Sequence, residues 1–302
     1  MKHDLDDLLI NKSEQLKVVR HEFTLSDMVK YARSVWNIAY KPRSDKHNVH
    51  GATFPRELIE LLIRMYCWNP HGLVVDPFMG IGTTTEACRN TQRSCVGFEL
   101  NDTFYQYGKT IEHMQTLDQF HVLKNTENIP LSYKLYHEDC RKMDTYLSPN
   151  SVDFVVTSPP YANFIQRSIK DREKRKDIRF KNSNIKPYSD DPRDFGNLDY
   201  PTFLAEIKRI MEKLLVITKP ECYNIWIVKD HRLTEENIPY VAFHADFATI
   251  GQQVGFLFHD LIIWNQEQRK LTPRGSRKIF YTNQNCSFLV ILRKPKINKN
   301  RQ

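Results

Sequence analysis

Two short stretches hold residues whose types and spacing suit chemistry. The first reads D-P-F-M-G-I-G-T-T over residues 76–84, and the second T-S-P-P-Y over residues 157–161. In the first, Gly80 and Gly82 can let the backbone come close to a ligand and take φ angles that other residues resist. A helix beginning near Thr83 would add unpaired N–H groups suited to an anion. Glu99 follows Asp76 by 23 residues, where an acid ending the next strand can receive the two hydroxyls of a ribose. Asp139 ends a third strand-like run. A lone G-x-G also serves an ordinary tight turn, and each acid alone also serves as a helix cap or surface residue. Their combination points to a ligand crevice. A nicotinamide dinucleotide fits poorly, because Thr84-Thr85 stand where the third glycine of that fingerprint belongs. The second stretch stops an apolar run with two prolines, which lack an N–H, and then an aromatic ring.

These residues need a frame that brings them to one edge. Short apolar runs at 72–76, 94–100, 133–140, 151–158, 222–230, 255–264 and 286–294 read as strands. Helical spacing appears over 24–36, with Thr24 or Ser26 as N-cap, and over 55–68, which Pro55 opens. In the latter, Leu58, Leu61, Leu62 and Met65 form one stripe. Further helices are expected from about Thr83 and over 200–217. Alternating strands and helices predict an α/β layer fold around a mainly parallel sheet. The last two strands have no helix between them, so an antiparallel pair is expected there. Ligands bind beyond the carboxyl ends of such strands. Asp76, Glu99, Asp139 and Ser158 therefore face one crevice.

The totals narrow the class of protein. The chain has 302 residues, 44 Lys/Arg against 36 Asp/Glu, and a net charge of +8. No apolar run approaches the roughly 18–20 residues that span a bilayer. The opening M-K-H-D-L-D-D-L-L-I carries acids within its short apolar stretch, unlike a secretory signal. The six cysteines form no C-x-x-C pair and have no histidine at zinc spacing, so reduced thiols of a cytoplasmic protein are expected and no metal site. The basic excess is concentrated: residues 167–186 hold nine Lys/Arg against three acids. Such a segment is either a solvated loop or a surface for a polyanion.

Taken together, these motifs resemble the S-adenosylmethionine-dependent amino-methyltransferases of DNA, which methylate exocyclic nitrogens of cytosine or adenine. D-P-F-M-G-I-G-T-T is similar to the family's cofactor loop, G-F-E-L-N (97–101) to its ribose-binding acid, and D-C (139–140) to its adenine-side acid. T-S-P-P-Y looks like its catalytic tetrapeptide with one preceding residue. Residues 50–63 are similar to its motif near the methionine end of the cofactor, with Gly51 where proline is common. Residues 255–264 and 288–294 resemble its last strands, so the likeness spans roughly 35–295.

The resemblance implies a Rossmann-like class I methyltransferase fold: a mostly parallel seven-stranded sheet with an antiparallel terminal strand and helices on both faces. It implies one catalytic domain over 1–302. S-adenosylmethionine would be held by Phe54, Asp76, Phe78, Gly80, Gly82, Thr83, Glu99, Asp139 and Ser158. Catalysis would fall to Ser158, Pro159, Pro160 and Tyr161. The partner would be double-stranded DNA with a flipped target base, with a cognate restriction endonuclease or a separate specificity subunit as further candidates.

The chain departs from the family's commonest pattern in two ways. The tetrapeptide follows the cofactor loop instead of preceding it, and no long target-recognition domain is visible. The candidates for DNA contact are a basic insertion at about 162–199 and the stretch 265–285, with 104–132 weaker. Arg167, Lys170, Arg172, Lys174, Arg175, Lys176 and Arg179 in the first, and Arg274 and Arg277 in the second, would meet phosphates. Serine at 158 is the family's usual mark of cytosine N4, with adenine N6 as the alternative. Two other readings stand beside these. An RNA guanine-N2 enzyme would resemble D-P-P-Y and carry an extra N-terminal domain, for which the residues before the cofactor region are too few. An inactive methyltransferase-fold subunit is opposed by the intact Asp76, Gly80, Gly82, Glu99, Ser158 and Tyr161.

Overall fold

The computed structural model describes residues 24–39, 54–118, 131–174, 189–233, 238–266, 274–275, 280–282 and 284–296. Strands β1 (Val35–Trp36), β2 (Leu73–Asp76), β3 (Ser94–Glu99), β4 (Tyr133–His137), β5 (Val152–Thr157), β6 (Thr218–Val228), β9 (Leu257–Asn265) and β12 (Cys286–Arg293) form one sheet. Its order is β1-β9-β12-β6-β5-β2-β3-β4. Every neighbouring pair is parallel except those made by β12, which runs antiparallel between β6 and β9. Two ribbons stand apart: β7 (His231–Leu233) with β8 (Ile238–Val241), and β10 (Arg274–Gly275) with β11 (Phe280–Tyr281).

The seven expected strands are all present. The sheet has an eighth, β1, which falls at the end of the segment expected to be helical. Helix α1 (Leu25–Tyr31) stops early, after a capping box between Thr24 and Asp27. The β-branched Val35 and the large Trp36 then run beside Ile263 and Trp264, and Trp36 is buried.

Helices α2 (Arg56–Tyr66), α3 (Thr83–Asn90), α4 (Asp102–Asp118), α5 (Phe164–Lys174), α6 (Tyr200–Ile217) and α7 (Phe243–Val254) complete the order. Side chains of a strand alternate between its faces, and the core divides accordingly. Val75, Val155 and Trp226 pack with α6 and α7 through Phe203, Ile207, Met211 and Phe247. Val74, Phe154 and Ile225 pack on the other face with Leu58, Leu62 and Ala87 of α2 and α3. The buried stripe of α2 is Leu58, Ile59, Leu62 and Ile63, while Leu61 and Met65 only flank the core. Each such side chain contributes about 1.5–3 kcal/mol by burial. Helices on both faces force a ligand to the edge of the sheet, beyond the carboxyl ends of β2–β6. No helix among the described residues is long and apolar enough to cross a membrane.

Candidate active site

The turn after β2 takes the conformation its glycines allow. Gly80 has φ 58° and Gly82 has φ 89°, both left-handed, and Gly82 is the N-cap of α3. Asp76 ends the strand beneath this turn and is fully buried. Thr84 Oγ1 donates to its Oδ2 at 2.5 Å, while Thr157 Oγ1 (2.6 Å) and the Phe78 N–H (3.1 Å) donate to its Oδ1. Burial pushes the Asp76 carboxyl up to about 6, against the pull of those three donors. Asp76 thus joins the glycine turn, the start of α3 and the residue before Ser158. With three donors in place, its carboxylate ties the glycine turn to the tetrapeptide.

Glu99 meets the turn from the end of β3. Its Oε2 accepts the Gly80 N–H at 2.8 Å and its Oε1 accepts the Asn101 N–H at 2.7 Å. Burial pushes this carboxyl up to about 7, opposed by the two N–H donors. Each oxygen keeps a lone pair beyond these bonds, so the carboxylate retains capacity for ligand hydroxyls. Asp139 follows β4 and caps the short 3-10 turn Cys140–Thr145, accepting the Arg141 N–H at 2.9 Å. The Arg141 guanidinium also pairs with Asp139 Oδ2 (2.7 Å) and Glu206 Oε2 (2.6 Å), and lies 4.3 Å from the Phe195 ring centre. Phe195 in turn meets Phe78 edge-on, with centroids 5.1 Å apart.

That contact identifies a wall not singled out from sequence. Residues 189–198 lie at the far end of the stretch expected to be a basic DNA-contacting insertion, and they pack through Phe195 onto Phe78 of the glycine turn. Asp194 and Phe195 are buried. Asp194 accepts from Ser189 Oγ (2.7 Å) and the Gly196 N–H (2.7 Å), and Asn197 Nδ2 donates to the carbonyls of Ser189 and Asp191. The apolar Phe195 between acidic and small residues was the available signal; nothing local ties it to Phe78.

The tetrapeptide leaves β5 at Thr157, which pairs with Trp226 of β6. Ser158 is half-buried and Pro159 buried. The chain then reverses sharply. Ala162 sits at φ 48°, a left-handed conformation that costs an alanine roughly 1–2 kcal/mol. The Asn163 N–H reaches the Leu198 carbonyl (2.9 Å) and the Phe164 N–H the Tyr161 carbonyl (3.1 Å), so both sides of the turn are pinned. The Tyr161 ring rests against His231 and Phe243, at 4.8 and 5.7 Å between centroids. His231 is enclosed by Tyr161, Phe164 and Phe243, and burial pulls its pKa down to about 4.

The other expected site residues divide. Phe78, Gly80, Gly82, Thr83, Glu99, Asp139 and Ser158 gather at the same carboxyl edge. Phe54 packs on the opposite layer, with the residues of α2 and α3, whereas Phe78 and Tyr161 pack with α6 and α7. Arg167 lies over the Phe164 ring (5.1 Å), and Lys170 is exposed on α5. Arg172 and Lys174 continue that helix, and Arg274 lies on β10. Arg175, Lys176, Arg179 and Arg277 lie outside the described residues. Thr84 and Thr157 lie within the two motifs, but nothing local marks them as the donors to Asp76, because that pairing is made by the fold. All six cysteines are unpaired, and four are buried.

Comparison with known families bears on the first part of the site: residues 6–110, which include the glycine turn and Glu99, match the family described as DNA methylase. The matched segment is about a third of the chain and stops before the S-P-P-Y turn. Curated relatives include the Type II methyltransferase M.SmaI of Serratia marcescens, 40% identical over 80 residues, covering 26% of this chain and 26% of that protein. The Type II methyltransferase M.Cfr9I of Citrobacter freundii is 42% identical over 72 residues, covering 24% of this chain and 23% of that protein. The chain thus matches about a quarter of the length of these Type II methyltransferases. Among solved structures, TrmN from Thermus thermophilus aligns at a TM-score of 0.47 and 10% identity, over 83% of this chain and 52% of that one. A likeness that weak adds nothing to the fold described above.

Proposed function

We propose that the protein transfers the methyl group of S-adenosylmethionine to an exocyclic amino nitrogen of DNA, with N4 of cytosine as the acceptor. The observation that carries this reading is the join at Asp76, which holds a nucleoside-type crevice and the S-P-P-Y turn in one rigid unit. The crevice fits the cofactor by its donor set. Glu99 keeps acceptor capacity for two ribose hydroxyls, Gly80 and Gly82 allow close backbone approach, and Phe78 with Phe195 offers an apolar wall. Asp139 would take the adenine side, with Arg141 fixing its orientation. When bound, the cofactor supplies an electrophilic methyl on a positively charged sulfur.

An amino group on a base is a weak nucleophile, because its lone pair is delocalised into the ring. Ser158 Oγ can accept one of its N–H bonds and the Pro159 carbonyl the other, which favours a tetrahedral nitrogen with its lone pair free. The left-handed turn at Ala162 and the bond to Leu198 hold that pair of acceptors in place. Tyr161, backed by His231 and Phe243, offers a ring face on which a base can stack, an interaction of about 1–3 kcal/mol. Alignment of amine and methyl can lower the barrier by roughly 7–11 kcal/mol. The departing proton passes to solvent.

The target must leave the duplex, at a cost of a few kcal/mol. Basic residues of α5 and beyond, just after the tetrapeptide, are placed in sequence to hold the flanking phosphates. A cognate restriction endonuclease would be the companion, as the description of the relatives as Type II methyltransferases suggests. Ser158 favours cytosine, though a serine accepts equally well from the amino group of adenine. Incubation with labelled cofactor and DNA, followed by mass identification of the modified nucleoside, tests the reading. N4-methylcytosine is expected; N6-methyladenine would correct the base, and unmodified DNA would reject the activity. Ser158→Ala and Tyr161→Ala should cripple turnover while cofactor affinity stays nearly intact, and normal turnover by Tyr161→Ala would remove the stacking role.

A further inference from the structure

Phe280 is the most exposed large apolar side chain among the described residues, at 78%. It lies on β11, where the cross-strand partner is Gly275. A glycine opposite offers no side chain to cover the ring, so that flank of the phenyl is left bare. The next residue, Tyr281, points to the other face of the ribbon, as alternation requires, and is half-buried. There the Arg232 guanidinium lies against two rings, 5.6 Å from Tyr281 and 5.1 Å from Tyr240. Arg232 also donates to the Thr282 carbonyl (2.6 Å) and to Thr282 Oγ1 (3.2 Å).

This anchoring connects the ribbon to the catalytic turn. Arg232 follows His231, whose ring is 4.8 Å from that of Tyr161. Asp230, on the other side, accepts from Tyr240 Oη (2.6 Å) and from His244 Nδ1 (2.8 Å), which fixes the base of the β7–β8 ribbon to α7. Tyr161, His231, Arg232 and Tyr281 thus form a short relay of contacts from the tetrapeptide to the residue beside Phe280. In sequence, residues 269–278 carry five Lys/Arg and no acid, and Arg274 among them lies on β10, so the chain flanking Phe280 is basic.

A bare aromatic ring on a two-stranded ribbon, flanked in sequence by basic residues and joined through Arg232 and His231 to the Tyr161 turn, suits one kind of partner. A two-stranded ribbon fits a groove of duplex DNA, basic residues neutralise phosphates, and apolar side chains can insert between base steps and unstack them. We propose that Phe280 is an intercalating wedge: it occupies the stacking space left in the duplex when the target base enters the pocket beside Tyr161. The role rests on the DNA-methylation reading above and deepens it, since it assigns the side chain that stabilises the opened duplex.

The test uses the full chain and an oligonucleotide duplex carrying the site mapped on genomic DNA. Single-turnover methylation is measured with the target normally paired and with the target opposite an abasic position, where no pairing holds the base. Phe280→Ala is expected to slow the paired duplex by about 100-fold, in keeping with an opening cost of a few kcal/mol. On the abasic-opposed duplex its loss should be at least about tenfold smaller. Phe280→Leu, which keeps an apolar wedge, should fall between wild type and Ala on the paired duplex. With 2-aminopurine at the target position, the wild type should brighten the probe and Phe280→Ala should not. Equal losses on the two duplexes, or none on the paired one, overturn the wedge while leaving methylation intact. A wild-type protein that methylates neither duplex overturns the parent reading and the wedge with it.

Discussion

Replacing Thr157 by valine would remove one hydroxyl, keep the β-branched shape, and test the tie at Asp76. Thr157 Oγ1 donates to Asp76 Oδ1 at 2.6 Å inside a fully buried cluster. A hydrogen bond to an ionised group is worth about 1.5–3 kcal/mol, and one between neutral groups about 0.5–1.5. Which value applies depends on pH, because the Asp76 carboxyl titrates at about 6 when folded against 3.8 as the ordinary value. A raised folded pKa means that the native state holds the proton more tightly than the unfolded chain. This carboxyl's contribution is therefore fully present below 3.8 and is lost as pH rises through about 6. Thr157→Val withdraws a donor that favours the ionised form, so it raises that pKa further and steepens the loss. The expected cost is about 1 kcal/mol at pH 5 and about 2–3 kcal/mol at pH 8. Urea unfolding at the two pH values, with Asp76→Asn as the second arm of a double-mutant cycle, measures it. In the Asp76→Asn background the pH difference should vanish. A penalty identical at pH 5 and pH 8, or below about 0.5 kcal/mol at both, would refute an ionised, threonine-held Asp76.

Three further outcomes follow from the site. Glu99 ionises only near neutrality, since burial pushes it up to about 7, and ribose hydroxyls donate best to the ionised form. Cofactor affinity measured by calorimetry should therefore rise between pH 6 and pH 8, and Glu99→Gln should flatten that rise and weaken binding by about tenfold; a flat wild-type profile would count against the ribose role. Arg141→Met leaves Asp139 and Glu206 without their shared cation and takes the guanidinium off Phe195. Discounted for its partial exposure, the change should cost about 1–3 kcal/mol in urea and weaken cofactor binding, and an unaltered affinity would separate the Phe195 wall from the cofactor. Changing Lys174, Arg175 and Lys176 to glutamine should lower the slope of log affinity for DNA against log salt by up to about 0.9 per lost phosphate contact; an unchanged slope would take this segment out of the interface.

The parts of the fold legible from sequence were those governed by local pattern. Helix α6 matches its expected bounds because Asp199 caps it, Pro201 suits its first turn, and its apolar positions recur at helical spacing. The central strands announced themselves as short apolar runs because helices cover both faces. Strand β1 was hidden by the apolar residues that follow α1, which continue a helical pattern until Trp36 finds β9. In the site, glycines and strand-end acids were visible because their roles depend on spacing along the chain. The donors to Asp76 lie 8 and 81 residues away in sequence, and Phe195 reaches Phe78 only through the return of a long segment. Such partners are chosen by topology, which no local window contains. The three donors to Asp76 add a structural role that spacing alone did not show: it ties the two motifs together.

The place of β12 in the sheet has a consequence for how the molecule is assembled. Residues 286–293 slot antiparallel between β6 and β9, whose own chain positions are separated by α7. During synthesis, β4-β3-β2-β5-β6 can zip together as soon as β6 emerges, but β9 has no neighbour in that group until β12 arrives. Until then the open flank of β6 exposes unpaired backbone groups along an apolar strand, the sort of edge that recruits other chains. Closure of this gap, with its long sequence separations, should be the slow step of folding. A nascent chain stalled before residue 286 would present a nearly finished crevice beside an adhesive edge, and would be the form most in need of a chaperone.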